Sequence, residues 1–201
     1  MKKIVLATAN THKVIEFQRI LGELIPGLEL IASSDFSKVP VIEEIGATFA
    51  ENALLKAKVI NEFTKLPAIA DDSGLVVEAL NGAPGIFSAR YAGINATDQE
   101  NVAKLISDIE NIDDSLLEAS FECAIALVDR EQNLELVVQG QMPGRVIKQV
   151  RGANGFGYDP MFIPQGFSKT AAELSDQDKD KISHRGIALR KMSGILKQLQ
   201  G

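Results

Sequence analysis

The stretch PAIADDSGLVVEAL, residues 67–80, decides the fold because it sets two adjacent acids between two apolar runs. PAIAD and LVVEAL, on either side, are rich in aliphatic and β-branched residues and predict two strands. We expect Asp71 and Asp72 at the end of the first strand, ahead of Ser73-Gly74. Unpaired carboxylates are costly in an apolar setting, so the pair predicts a metal site or a general base. A plain turn is the alternative interpretation.

Further from this stretch, the chain alternates predicted strands with amphipathic helices. KIVLAT and LELIA predict strands, whereas HKVIEFQRILGELI and TFAENALLKAKVINEFTKL predict helices. ASFECAIALVD and LELVVQGQM predict a hairpin joined by REQN, and the chain from residue 184 to 199 predicts a final helix. We therefore expect an α/β domain with α+β character, built on a mixed β-sheet flanked by helices.

Composition excludes several classes of protein. The chain has 201 residues, 45% of them hydrophobic, which suits a single domain over 1–201. The net charge of −6 argues against a nucleic-acid partner. No run reaches the roughly 20 apolar residues of a membrane span, so we expect no membrane partner and a cytoplasmic location. Cys123 is the one cysteine, and its apolar surroundings predict a buried thiol.

The segment TANTHK, residues 8–13, lies between the first strand and the first helix. A helix N-terminus offers free N–H groups and a positive dipole end, which suit phosphate. Thr8, Asn10 and Lys13 are the candidate phosphate contacts. The alternative is an ordinary turn that Thr11 or Asn10 caps.

Carboxylates from separate segments form a candidate metal site. Glu43 and Glu44 precede the long helix, and with Asp71 and Asp72 they offer the oxygen ligands that Mg²⁺ prefers. A solvated helix entry is the alternative for the two glutamates. Lys56 shares a helix face with Asn52 and is a candidate phosphate contact, unless it only covers the apolar stripe.

Two later segments carry groups that suit a heterocyclic base. GFGYDP, residues 155–160, presents an aromatic ring and a carboxylate on a Gly-rich loop, although a hydrophobic plug is an equally plain interpretation. Lys179 and the triplet Ser183-His184-Arg185 supply donors near the start of the last helix. A structural or solvated role is the alternative for the histidine.

Together these segments resemble the inosine/xanthosine triphosphate pyrophosphatases, which remove noncanonical purine nucleotides. The similarity runs nearly end to end through six collinear blocks: ATANTHKVIEF, EEIGATFAENALLKA, PAIADDSGLVVEALNGAPGIFSARYAG, GFGYDPMF, KTAAEL and ISHRGIAL. One departure is Ala9, which stands where relatives often have Gly beside the phosphate loop.

The resemblance implies an elongated two-lobed fold with a central nucleotide cleft, and a homodimer. It implies hydrolysis of ITP, dITP and XTP to the monophosphate and pyrophosphate with Mg²⁺, for which Mn²⁺ is a possible substitute. Asp72 would be the catalytic base, with Lys56 beside it, and the metal ligands would come from Asp71, Asp72, Glu43 and Glu44. The remaining substrate contacts implied by the resemblance are Thr8, Asn10, Lys13, Ser73, Phe156, Gly157, Tyr158, Asp159, Lys179, His184 and Arg185.

Hydrogen bonding explains how such a site would select its base. Hypoxanthine and xanthine carry a carbonyl at C6 and a proton on N1, so His184 or Arg185 can donate and Asp159 can accept. Adenine presents the reverse pattern, and a mismatch of this kind costs about 10⁴-fold. Two other functions stay open: a nucleotide sensor without turnover, and a phosphatase that releases orthophosphate.

Overall fold

A computed structural model describes residues 3–199, and in that part six strands form one sheet. The strands are β1 (Lys3–Leu6), β2 (Glu29–Ala32), β3 (Ala68–Val77), β4 (Glu118–Asp129), β5 (Leu134–Val146) and β6 (Phe162–Pro164). Their order is β2-β1-β3-β4-β5-β6. Strand β1 pairs in parallel with β2 and β3, and β5 pairs antiparallel with β6. The predicted mixed α/β sheet is confirmed.

Five α-helices accompany the strands in the described residues. They are α1 (Thr11–Leu24), α2 (Phe49–Thr64), α3 (Asp98–Ile109), α4 (Asp176–Ile182) and α5 (His184–Gln198), with 3₁₀ turns at Ser33–Asp35, Glu78–Leu80, Gly85–Arg90, Asp114–Leu116, Asp159–Met161 and Ala171–Glu173. Asn10, Thr48 and Thr97 cap the first three helices through their side chains. No helix in the range 3–199 has both the length and the apolar character to cross a bilayer.

One prediction about the acidic pair is wrong. The two strands expected on either side of Asp71 and Asp72 are a single strand, β3, and both acids lie within it. Gly74 is present for close packing and not for a turn, because a Cβ there would overlap the Gly85 carbonyl oxygen and the Ser88 hydroxyl. The Ser73-Gly74 pair therefore continues the strand against a neighbouring segment.

The chain divides into two compact units, each built from separated segments. The first unit contains the chain through Asp72, the segment Cys123–Gly140 and the chain from Arg185. The second contains Ser73–Glu122 and Gln141–His184. The chain therefore passes from one unit to the other four times. The single domain and the nucleotide cleft expected from the sequence stay predictions.

The first unit buries both faces of its strands, and the two faces carry side chains of different size. On one face large aliphatic residues pack with helices α1 and α5, whereas on the other small residues pack with α2. Successive residues of a strand point to opposite faces, so this division follows the strict alternation along β1, β3 and β4. The members of the α2 face include Ala53, Ala57, Ala68, Ala70, Ala124 and Ala126.

The core of the second unit is more aromatic. It joins Leu75 of β3 to Leu105 and Ile109 of α3, all fully buried. Phe121 of β4 meets Phe162 of β6 edge to face, with ring centroids 4.7 Å apart. This core supports the Gly-rich loop that follows β5.

Candidate active site

Strand β3 directs its two acids to different faces of the sheet. Ala70 belongs to the face that packs with α2, and Ile69 belongs to the opposite face. Because the alternation continues, Asp72 lies on the α2 face and Asp71 on the face of α1 and α5. Each acid therefore meets its own set of partners within the first unit.

Asp72 lies against two polar side chains of α2. Its Oδ1 accepts from the Lys56 ammonium at 2.8 Å, and its Oδ2 accepts from the Asn52 amide at 3.2 Å. The same ammonium donates to Glu44 Oε1 at 2.8 Å. Two carboxylates thus converge on one cation, and the side chains of Lys56 and Asp72 are only 12% and 8% exposed.

Burial and charge shift the pKa values in this cluster. Burial raises the pKa of Asp72; the Lys56 ammonium opposes this effect and Glu44 supports it, so the pKa lies above its ordinary value. Burial lowers the pKa of Lys56, but Asp72, Asp71 and Glu44 more than offset that effect and raise it. Lys56 is therefore a permanent cation beside an acid that binds protons more readily than usual.

Asp71 lies in a separate cluster of buried charges. Its Oδ2 is 3.1 Å from the Lys13 ammonium of α1 and accepts from Arg185 Nη2 of α5 at 3.1 Å. Arg185 also donates to Glu16, so two acids and two bases compensate each other. Burial would raise the pKa of Asp71, yet Lys13 and Arg185 hold it far below its ordinary value. Cys123 is close by, with its Sγ 4.0 Å from Asp71 Oδ2.

The loop between β1 and α1 forms the predicted turn. Asn10 caps α1, and its Oδ1 accepts from the N–H groups of His12 and Lys13 at 2.9 and 3.2 Å. Thr8 accepts from the Asn10 N–H at 3.2 Å. The predicted phosphate contacts Thr8, Asn10 and Lys13 therefore lie on one short turn at a helix N-terminus.

A third cluster lies in the second unit, on the Gly-rich loop and α4. Lys179 and Asp159 are both buried and form an ion pair of 2.5 Å. Asp159 Oδ2 also accepts from the Phe156 N–H at 2.9 Å, and the Lys179 ammonium is 5.0 Å from the centre of the Phe156 ring. A Cβ on Gly155 would overlap the Asp159 carboxylate, so this loop requires glycine there. The structure brings together three predicted base contacts.

The other predicted residues have separate positions. His184, the first residue of α5, is buried with its ring stacked on Phe121 at 5.0 Å. Tyr158 is buried, and Ser73 is half-buried within β3. Glu43 is exposed and makes no ion pair or hydrogen bond with the rest of residues 3–199. The four acids proposed as metal ligands do not form one group.

Comparison with known proteins places this arrangement in a family. The model of the Ham1 family matches residues 4–195. The chain belongs to the Ham1 family. A relative from Coxiella burnetii named dITP/XTP pyrophosphatase is 49% identical over 197 residues, which cover 98% of this chain and 97% of the relative.

Solved structures of Ham1 proteins have the same fold. The structure of a Ham1 protein from Coxiella burnetii matches with a TM-score of 0.88 and 48% identity, covering 98% of this chain and 100% of that one. A Ham1 protein from Staphylococcus aureus matches with a TM-score of 0.86 and 38% identity, covering 98% and 99%.

In this Ham1 chain, two residues of the first unit join the clusters although the sequence did not single them out. Asn52 is fully buried; its amide donates to Asp72, and its oxygen accepts from the Gly46 N–H at 2.8 Å. Glu16 is the second carboxylate on Arg185. Both carry a local signal, since Asn52 shares a helix face with Lys56 and Glu16 shares one with Lys13.

Proposed function

We propose that this protein hydrolyses noncanonical purine nucleoside triphosphates, namely ITP, dITP and XTP, to the monophosphate and pyrophosphate. The observation that carries the proposal is the hydrogen-bonded group of Asp72, Lys56 and Glu44, in a chain 49% identical over nearly its full length to a dITP/XTP pyrophosphatase. Such a hydrolysis needs an acid that takes a proton from water and a lysine that stabilises the departing pyrophosphate.

The donor set of this cluster suits Mg²⁺. Asp72 and Glu44 already converge on the single cation of Lys56, and Mg²⁺ is bound by one or two carboxylates together with waters and substrate phosphates. We assign Glu44 as the metal ligand and Asp72 as the neighbour of the metal, where its carboxylate meets the attacking water. Bound Mg²⁺, with Mn²⁺ as a possible substitute, would neutralise the triphosphate and polarise the α-phosphorus. Asp71 is compensated by Lys13 and Arg185, and Glu43 is exposed, so neither joins this set.

The protein's own residues then divide the reaction between them. Asp72, with its raised pKa, accepts a proton from the water that attacks the α-phosphorus. The bond from the α-phosphorus to its bridging oxygen breaks, and pyrophosphate leaves. Lys56 stabilises the charge that grows on the departing pyrophosphate. Thr8, Asn10 and Lys13 on the α1 turn bind phosphate oxygens.

Residues of the second unit are assigned to the base. The Phe156 ring stacks on a purine, and Lys179 and His184 donate to the carbonyl at C6. Asp159 already accepts from Phe156 and Lys179, so it holds these groups in position as well as offering an acceptor. The Arg185 guanidinium pairs with Asp71 and Glu16 in this structure. Its contact with the base, which the resemblance implied, stays a prediction.

The remaining expectations belong to the same proposal. We expect a homodimer in the cytoplasm, where the nucleoside triphosphate pool is used. The net charge of −6 supports the expectation that no nucleic acid is bound.

A product assay tests the proposed function. The purified protein is incubated with Mg²⁺ and ITP, XTP, GTP or ATP in parallel, and pyrophosphate is measured against orthophosphate. We expect pyrophosphate from ITP and XTP, with ATP slower by up to about 10⁴-fold. Orthophosphate as the product would favour the phosphatase alternative, and tight binding of ITP without turnover would favour the sensor.

Substitution of Asp72 tests its role within that reaction. Asp72→Asn removes the proton acceptor and the charge, so we expect kcat with ITP to fall by about 10²–10⁴-fold. Asp113→Asn is the matched control, because Asp113 is exposed and its carboxylate accepts hydrogen bonds from its near neighbour Ser115. Equal kcat values for the two variants would remove Asp72 from the chemical step.

A further inference from the structure

The Gly-rich loop of the second unit, Gly155–Tyr158, is held by contacts that reach outside the loop. The Tyr158 hydroxyl donates to the backbone oxygen of Ser88 at 2.8 Å, in a buried position. The Gly157 N–H donates to Asp98 Oδ2 at 2.7 Å, in an exposed one. Asp98 is the first residue of α3 and is separated from Gly157 by 59 positions in the chain. The contact therefore connects the loop to a different element.

The Asp98 carboxylate is available for this contact because other residues cap α3. Thr97 accepts from the Glu100 N–H at 3.2 Å, and Glu100 accepts from the Thr97 N–H at 2.7 Å. This reciprocal capping box satisfies the helix terminus without Asp98. The short distance from Gly157 to a charged acceptor is that of a charge-assisted hydrogen bond.

That hydrogen bond restrains the Gly157 backbone. Gly157 adopts a left-handed conformation, with φ of 60°, and Gly155 has φ of 75°. Glycine visits such conformations freely and equally visits many others, so two glycines leave the loop with many alternatives. A Cβ on Gly157 would have no atom within 4 Å, so nothing packs against that side of the residue. The polar contact to Asp98 restricts the peptide directly after Phe156.

We propose that Asp98 is a positioning residue that latches the Gly-rich loop and so fixes the Phe156 ring for stacking on a purine base. The ligand in this proposal rests on the function proposed above, whereas the latch itself does not. Asp98 contacts no substrate; it acts through Gly157 on the neighbouring ring, which lies 5.0 Å from the Lys179 ammonium. Asp159 still holds the Phe156 N–H when the latch is lost, but the ring then has a wider range of positions, which weakens affinity for the base.

Kinetics of Asp98→Ala test the proposal. We expect KM for ITP to rise about five- to tenfold while kcat changes less than about twofold, because the chemical step lies elsewhere. The Ki of IMP as a product inhibitor should rise by a similar factor, since IMP carries the base. The Ki of inorganic pyrophosphate should stay unchanged, since pyrophosphate has none. A general loss of stability would not raise the Ki of IMP while it leaves the Ki of pyrophosphate unchanged.

Two further variants serve as controls. Asp98→Asn keeps an oxygen acceptor for the Gly157 N–H, and we expect it to restore KM to within about twofold of wild type. Asp113→Ala removes an exposed acid from the start of a 3₁₀ turn of the same unit and should leave KM unchanged. Asp98→Ala with wild-type KM and wild-type Ki for IMP would overturn the proposal.

Amide hydrogen exchange tests the latch without any nucleotide. The exchange rate of the Gly157 N–H, measured by NMR, should be slow in wild type and in Asp113→Ala and clearly faster in Asp98→Ala. An unchanged rate in Asp98→Ala would overturn the latch. A wild-type protein that releases no pyrophosphate from ITP would overturn the proposed function instead, and the exchange measurement would still decide whether Asp98 holds the loop.

Discussion

Adjacent carboxylates in the middle of a strand can serve two different purposes. Asp71 and Asp72 point to opposite faces of β3, so their side chains meet different helices. Asp71 is fully buried and forms ion pairs with Lys13 and Arg185. Removal of one partner from a buried ion pair lowers the free energy of unfolding by roughly 3–5 kcal/mol. Asp72 is also buried, but it lies between a lysine and an amide. Asp71 thus stabilises the unit, and Asp72 is the acid to which the proposed function assigns the chemistry.

Cys123 provides a test of the environment around Asp71. Burial raises the pKa of the thiol to about 12, and the Asp71 carboxylate adds to the effect. At pH 8 the thiolate fraction is then about 10⁻⁴, against roughly a quarter for an ordinary cysteine. We expect the folded protein not to react with a disulfide reagent such as 5,5′-dithiobis(2-nitrobenzoate) at pH 8.

The control for this labelling is the same protein in guanidinium chloride. The chain has one cysteine, so the unfolded protein should react with one equivalent of reagent. Reaction of the folded protein at a comparable rate would show that Cys123 is accessible and that the Asp71 cluster opens readily.

Prediction from the sequence worked best for single residues whose burial without a partner would cost free energy. The acidic pair was identified because buried carboxylates need partners. The separation of the pair onto two faces could not be predicted, because Ser73-Gly74 is typical of a turn. Only the packing against Gly85 shows that the strand continues.

At the scale of elements, the pairing of β5 with β6 depends on a glycine. Gly144 lies opposite Pro164, and a Cβ there would overlap the Ile163 carbonyl oxygen and approach the Phe162 ring to 2.7 Å. Gly144→Ala should therefore lower the free energy of unfolding by about 1–3 kcal/mol. Urea denaturation followed by circular dichroism measures the change.

A second glycine gives the matched control for this substitution. Gly22 is exposed on α1, and a Cβ there would have no atom within 4 Å. Because alanine is the better helix former, Gly22→Ala should raise the free energy of unfolding by about 0.5–1 kcal/mol. Two Gly→Ala variants that shift stability in the same direction would contradict the packing argument.

Local patterns predicted most elements and missed those that depend on their surroundings. The helices at residues 11–24 and 49–64 follow from apolar spacing. Helix α4 lies in the polar segment DQDKDKI, which has little apolar periodicity, and its main buried contact is Lys179 with Asp159. A helix that buries an ion pair instead of an apolar stripe has no signal of the kind that sequence patterns provide.

At the scale of the whole molecule, the order of strands is the feature that sequence reasoning could not supply. The family resemblance ran through six blocks and correctly implied a mixed α/β fold, which the Ham1 structures share. The two compact units nevertheless interleave along the chain, because β3, β4 and β5 each contribute residues to both. Pairing between distant strands is not encoded in local periodicity, so neither the sheet order nor the interleaving was predictable.

The buried charges of the first unit predict how the molecule responds to acid. The folded pKa of Asp71 lies far below its unfolded value of about 3.9. Its contribution to stability is therefore complete above about pH 5 and is lost progressively as the pH falls, because the unfolded state then binds more protons. In a chelator-containing buffer, we expect the urea midpoint of the wild-type protein to fall steeply from pH 5 to pH 3.

Asp71→Asn separates this contribution from the general effect of acid. The variant leaves Lys13 and Arg185 with less compensation, so at pH 7 it should be less stable by roughly 3–5 kcal/mol. It has no carboxylate to protonate at that position, so its stability should change less between pH 5 and pH 3 and approach that of wild type. Asp113→Asn removes an exposed acid whose pKa is lowered by hydrogen bonds from Ser115, so it should keep most of the steep wild-type dependence. Parallel pH profiles of stability for wild type and Asp71→Asn would contradict the prediction. They would mean that Asp71 has the same pKa in the folded and unfolded chains, although it is buried between two cations in the folded chain.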